Sequence, residues 1–370
     1  MNIVTTKKDI SASLALVAGS ADTGGITPIL GSVLMKTLKD GSLSMTCSDQ
    51  GTVARAVGLC EVKSPGAIAV DARRLSDLVR AIPEDQKIEF NEGEGNITIK
   101  AGRSRFNLPA HDAADYPKMV ADLGNAVSVT IEAKTLANMV EEVSASMPSN
   151  DARPNLNGGL LRINDAGIWL VSTDGHRLTV SQEPFPKGTQ IGTHELLVPR
   201  KSLLRLQKLL TKDSVELTLG TGAMQVVLAD RTGLLCKGMG EKYLAWEKAV
   251  PKHEKHFDVN ASQLLNALSM LSAAIDPKDK GVDRLRLEIS VKGDVMTLTH
   301  AKAGQSEIEC LNGTGVEWAA AFNLEYLRDA ATVTGKAQER IQFRVNAPLE
   351  AILLKPTIQD YPRAVVMAMK

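Results

Sequence analysis

Along most of the chain, apolar and polar residues alternate in short runs, the two-residue period of half-buried strands. At six places the spacing changes to the three-and-four period of an amphipathic helix. Three segments share one order of elements: AVDARRLSDLVRAIPEDQKIEF from Ala69, LVPRKSLLRLQKLLTKDSVELTL from Leu197, and AFNLEYLRDAATVTGKAQERIQFRV from Ala321. Each reads as a strand end, a polar cap, a helix, a polar turn and a second strand. The equivalent positions Val70, Val198 and Phe322 are spaced by 128 and 124 residues. A second set, VTTKKDISASLALVAGSA, TIEAKTLANMVEEVSASM and DVNASQLLNALSMLSAAI, again places a strand before a helix, with Ala133 and Ala261 opening the later two. Alternating blocks lie between the two helices of each unit, punctuated by Asp-Gly, Asp-Ala-Gly and Lys-Gly-Asp turns that suit hairpins. The spacing predicts three α+β domains of one topology, at 1–126, 127–253 and 254–370. A period this long is a repeat of whole domains, since solenoid repeats run to roughly 20–50 residues.

Composition narrows the picture. Of 370 residues, 44% are hydrophobic and only 4% aromatic, so the core is aliphatic. The 43 Lys and Arg balance 43 Asp and Glu, so affinity for a polyanion must come from local segregation of charge. In the middle unit Lys201, Arg205, Lys208 and Lys212 fall on one helical stripe, with Leu203, Leu206 and Leu210 on another face. Arg73, Arg74 and Arg80 form a similar stripe in the first unit, and Arg328 with Lys336 a weaker one in the third. Read singly, each is a solvated helix face; repeated, they suggest a shared partner touched through phosphates.

Cys47, Cys60, Cys236 and Cys310 have neither disulfide nor metal spacing, and the N-terminal residues form no long apolar segment. The expected setting is a reducing cytoplasm, away from a membrane, with no metal and no cofactor. Ser172, Asp174 and His176 are close in sequence but adjacent on one extended segment, whereas a catalytic triad converges from separated positions. Asp174-Gly175 is expected as a two-residue hairpin turn flanked by Thr173 and His176. Glu141 and Glu142 are expected to face solvent. No nucleophile elbow, phosphate loop or zinc-protease motif occurs, so no catalytic residue is assigned.

Several segments resemble the beta sliding clamp of bacterial DNA polymerase III: Ser172-Thr-Asp-Gly-His-Arg-Leu178, Leu197-Val-Pro-Arg-Lys-Ser202, Gly102-Arg-Ser-Arg-Phe106, Phe322-Asn-Leu-Glu-Tyr326 and Val365-Val-Met-Ala-Met369. The resemblance covers the whole chain in order. It implies a non-enzymatic homodimeric ring of six domains, helices lining the hole and antiparallel sheets outside, that encircles duplex DNA without sequence preference. It also implies opening by a clamp loader, and tethering of the polymerase III catalytic subunit, other polymerases and repair proteins through a short peptide. By position, the peptide cleft comprises Leu156, Thr173, Gly175, His176, Arg177, Leu178, Lys248, Ala249, Asn323, Tyr326, Val365, Val366, Met367 and Met369. DNA contact falls to Arg73, Arg103, Arg153, Arg200 and Lys201, and the dimer interface to Phe106, Leu108 and Ile275.

The chain departs from the family pattern in places. Leu244 and Ala368 stand where proline is usual, Lys248 where arginine is common, and Ala249 is smaller than the usual valine. The loop from Thr23 to Ile26 lacks an expected arginine, Arg153-Pro-Asn155 lacks neighbouring tyrosines, and Asp276 replaces an apolar residue at the expected subunit contact. The cleft departures bear on partner preference, and the missing basic residue with Asp276 gives weight to a clamp-fold DNA-binding regulator or accessory clamp that has lost stable ring closure. Residues 365–369 also read as an ordinary edge strand.

Overall fold

A computed structural model describes the chain except residues 23, 85, 120, 211–212, 282, 313–315 and 337. Lys212 of the basic stripe and Thr23 of the early loop therefore lie outside the described residues. Among the described residues, six α-helices follow the expected order: α1 (Lys7–Ala18), α2 (Ala72–Ala81), α3 (Ala133–Ser144), α4 (Arg200–Leu209), α5 (Ala261–Ala274) and α6 (Leu324–Gly335). Each begins at the residue after a strand, so the strand–helix unit recurs six times.

Local chemistry sets these starts. The side chains of Thr6, Asp71, Asn260 and Asn323 accept from backbone N–H groups of the first turns of α1, α2, α5 and α6. The middle unit differs from the expected polar cap: Pro199 precedes α4 and offers no side-chain acceptor. Ala133 and Ala261, which open α3 and α5, each donate their backbone N–H to a carbonyl far along the chain, Asp213 and Glu339 respectively.

The chain divides into two compact units, one of residues 1–137 with 194–240 and the other of residues 138–193 with 241–370. In the first, antiparallel strands form one sheet, and Leu14, Val17, Leu75 and Val79 of α1 and α2 are buried. The strand Thr52–Gly58 pairs with Gly233–Lys237, so residues of the first and second sequence repeats share a sheet. In the second unit Arg177–Pro184 pairs with Arg363–Val366 in the same manner. There α5 and α6 cover a core containing Phe257, Leu268, Phe322, Leu327 and Phe343. The hairpin turns fall near the expected positions; Asn164 pairs with Gly167 and Lys292 with Val295.

Several expectations are corrected. The strand Arg363–Val366 is no edge: it pairs with Arg177–Pro184 on one side and Ile352–Pro356 on the other. Glu142 is turned inward, where it accepts from Ser181 Oγ at 2.6 Å, while Glu141 is exposed and bonds Lys336 Nζ at 2.7 Å. Burial raises the Glu142 carboxyl above its ordinary range despite the serine bond and the Lys336 charge. The basic stripe of α4 is broken, because Arg205 and Lys201 bond the carboxylate of Asp49 at 2.6 and 3.0 Å and the Arg205 side chain is nearly enclosed. Burial disfavours ionised Asp49, but these two bases outweigh it and hold the carboxyl below its usual range. Cys47, Cys236 and Cys310 are buried and Cys60 is half-buried; all four are free thiols.

Candidate functional site

Hydrogen bonds to one turn organise the site, which lies within the second unit. The turn is centred one residue later than expected, on Gly175-His176. Asp174 donates its backbone N–H to the Arg177 carbonyl, and its carboxylate accepts from the N–H groups of His176 (2.9 Å) and Arg177 (3.0 Å). An aspartate whose side chain caps the amides two and three residues on pulls the turn forward, and Gly175 takes the positive φ of 88° this requires. Thr173 Oγ1 donates to the Arg177 carbonyl and accepts from Gly175 N–H. Ser172 is wholly buried and bonded to Ser146 and the Val143 carbonyl, so the Ser172/Asp174/His176 cluster is not a catalytic array.

Arg177 is the hub. Its Nε donates to Asp174 at 3.0 Å and its Nη1 to Asp329 of α6, while its guanidinium lies 4.4 Å above the Tyr326 ring. His176 stacks against the same ring, centroids 6.2 Å apart and planes 22° apart. Asn323, the cap of α6, accepts from Glu325 and Tyr326 amides and so fixes where Tyr326 starts its turn. Burial raises the Tyr326 hydroxyl. The C-terminal residues cross the site: Met367 N–H donates to the His176 carbonyl and Met369 N–H to the Ala321 carbonyl. Met367 remains 47% exposed, whereas Val365, Val366, Leu178, Thr173 and Leu156 are buried beneath. Lys248 and Ala249 are exposed on a short turn, Trp246–Ala249.

His176, Arg177, Asn323, Tyr326 and Met367 are thus connected by direct contacts, whereas Met369 is held at Ala321, apart from Arg177 and Tyr326. Asp174 and Asp329, which hold Arg177, were not among the residues assigned from sequence. Asp329 stood beside Arg328 in a stripe read as solvent-facing, and nothing local signals a partner 152 residues away.

The five expected DNA-contact residues divide. Arg73 and Arg103 are exposed and have no ion pair among the described residues. Arg153 is forked onto Asp151, holding that carboxyl at about 2, and also donates to the Asp174 carbonyl. Lys201 bonds Asp49, and Arg200 is half-buried. Of the expected interface residues, Phe106 is 38% exposed and Leu108 partly so, but Ile275 is only 7% exposed and belongs to its own core. Among the described residues no cluster of metal-ligating side chains occurs, and no helix is long and apolar enough to cross a membrane.

Comparison with known proteins agrees with this architecture. Family models for the DNA polymerase III beta subunit match the chain over residues 1–120 (N-terminal domain) and 130–237 (central domain). The beta sliding clamps of Pseudomonas putida and Escherichia coli K12 are 29% and 28% identical to it, each aligned over 100% of both chains. A crystal structure of a sliding clamp (DNA polymerase III subunit beta) from Pseudomonas aeruginosa bound to griselimycin superposes with a TM-score of 0.91 at 26% identity. That match covers 100% of this chain and 99% of the other.

Proposed function

The chain belongs to the bacterial DNA polymerase III beta-subunit family and is a DNA polymerase processivity factor, and from that premise we propose that two copies close head to tail into a ring around duplex DNA. One observation carries the closure. In both compact units an inter-repeat joint is made by two antiparallel strands: Thr52–Gly58 with Gly233–Lys237, and Arg177–Pro184 with Arg363–Val366. The corresponding strand of the third repeat is Gly304–Leu311, and that of the first is Ser104–Asp112. Among the described residues, 304–309 pair on one side only, with Val295–His300, and 104–109 on one side only, with Asn96–Ala101. Each copy therefore carries two open edges matching the two halves of a joint it already builds twice. Open edges are sites of strand pairing, and two copies supply what each lacks.

Charge supports the match. Arg105 stands on the first edge with Arg103 just before it, and Glu307 and Glu309 stand on the second, with Phe106 as an apolar contact. Arg103 is better placed for this joint than for phosphates. DNA contacts then fall to Arg73, Arg74 and Lys208, exposed on α2 and α4. Retention by enclosure asks little of such contacts, which suits a chain of zero net charge.

The cleft built on Arg177 and Tyr326 receives a short peptide from polymerases and repair proteins, its apolar anchors seated over Val365, Leu178 and Met367. The Pseudomonas aeruginosa relative was crystallised with griselimycin. The ring itself performs no chemistry; a clamp loader opens it, and it works in the cytoplasm on DNA. Three repeated domains in each of the two copies, near 1–126, 127–253 and 254–370, supply its six segments.

Replacing Arg105 with Glu tests closure. Sedimentation should show the wild type as a dimer and Arg105→Glu shifted towards monomer. A wild type that stays monomeric at micromolar concentration would instead favour the regulator without ring closure.

A further inference from the structure

The two joints inside the chain share one arrangement of charge. In the first repeat, residues 49–51 link the strands Leu43–Ser48 and Thr52–Gly58; in the second, residues 174–176 link Gly167–Thr173 and Arg177–Pro184. Asp49, which opens the first link, accepts from Arg205 of α4 at 2.6 Å. Arg177, the residue that closes the second, donates to Asp329 of α6. Arg205 and Asp329 are each the sixth residue of their helix. In both joints, therefore, a charge at the link of one repeat meets its opposite at the sixth position of the next repeat's second helix. The sign reverses from one joint to the other.

The third repeat carries half of this arrangement. Its strands Val295–His300 and Gly304–Leu311 are again linked by three residues, 301–303, and Lys302 is the one charged residue of that link. Lys302 donates to Asp279 at 2.6 Å yet its side chain stays 72% exposed. Arg177 shows the same beginning, a base held by an acid of its own repeat, Asp174, and then completed by Asp329. Among the described residues Asp279 is the one carboxylate that reaches Lys302. The first repeat carries the other half. Asp77 is the sixth residue of α2 and the one acid in that helix; its side chain is 58% exposed and meets Arg80 of the same helix at 3.3 Å.

We propose that Lys302 of one copy pairs with Asp77 of a second copy across the subunit joint, an assignment that rests on the ring reading above and adds a specific contact to it. The open edge at residues 304–309 begins two residues after Lys302. Strand pairing there brings α2 of the second copy to the link, as the internal strand pairs accompany α4 at Asp49 and α6 at Arg177. The bases of α2 do not oppose this placement. Arg74, the third residue of its helix, matches Ser202, which bonds Thr52 at 2.7 Å where the strand after the link begins. Gly304 begins the corresponding strand of the third repeat and leaves room for a longer side chain. Opposite charges set face to face across a joint fix its register and exclude pairings that bring like charges together.

The test is a charge exchange in the full-length protein, read as the dimer dissociation constant by sedimentation at low salt. Lys302→Glu and Asp77→Lys should each raise that Kd about tenfold. A chain carrying both changes restores an opposite pair at every joint and should dimerise about threefold or more tighter than either single variant. Rescue of this kind cannot come from the loss of the Asp279 bond, which the double variant also lacks. The pair is overturned by single variants that dimerise as the wild type does, or by a double variant no tighter than the better single one. A dimeric wild type with either of those results removes the pair and leaves ring closure standing. A monomeric wild type overturns ring closure itself, and the pair with it.

Discussion

The guanidinium of Arg177 donates to the carboxylate of Asp329, 152 residues further along the chain. A second bond to Asp174 fixes the same group over the face of Tyr326. Arg177 is mostly enclosed, so this cation is oriented before any peptide arrives. Arg177→Ala should weaken binding of a polymerase-derived clamp peptide about 10–100-fold, measured by fluorescence anisotropy, with the dimer unchanged. Asp329→Asn frees the guanidinium without removing it and should cost less, about threefold to tenfold. Equal losses for the two variants would mean that Arg177 acts only as a structural brace.

The C-terminal residues separate into two roles. Val365 and Val366 are buried in a strand with partners on both sides, whereas beyond it Met367 bonds the His176 carbonyl and Met369 and Lys370 run to Ala321 and Arg286. Truncation after Val366 should therefore abolish peptide binding and leave the far-ultraviolet circular dichroism spectrum and the dimer intact. Truncation after Ala364 removes two buried valines and should destabilise the second unit by about 3 kcal/mol or more. Peptide affinity surviving the shorter truncation would place the anchors elsewhere.

Two inward-turned carboxylates should give opposite pH signatures. Asp49 is held below its ordinary value of 3.8, so its contribution is present above that value and lost as pH falls through the folded-state pKa. Asp49→Asn should destabilise by about 1–3 kcal/mol near neutrality, and less in acid. Glu142 is raised above 4.5, so the stability linked to it is full below that value and is lost as pH rises through the folded-state pKa. Glu142→Gln keeps an acceptor for Ser181 and should raise Tm near neutrality, with the gain vanishing on acidification. A Tm gain for Glu142→Gln that is the same at both ends of the titration would contradict the assigned burial.

Element type was readable because it rests on local periods. Leu264, Leu268 and Leu271 of α5 and the polar caps Asp71, Asn260 and Asn323 show in the sequence what they do in the fold. What periodicity leaves open is which polar residue finds a distant partner. Arg205 looks like a solvated stripe residue until Asp49 comes beside it, and Glu142 looks solvent-facing until Ser181 does. The turn at Gly175-His176 was displaced by one residue, because a dipeptide pattern identifies a turn while the Asp174 side chain fixes its centre. The cleft residues came from resemblance to a family; their mutual contacts, and the acids that orient Arg177, came from the tertiary structure.

Enclosure of DNA is tested most directly by topology. The protein should be loaded by a clamp loader onto nicked circular DNA, isolated from free protein by gel filtration, and the circle then cut once with a restriction enzyme. Protein that stays on the circle and leaves within minutes of linearisation, faster still with Arg105→Glu, is the result a closed sliding ring predicts. Equal retention on circular and linear DNA would mean that the protein grips the duplex locally, and no ring surrounds it.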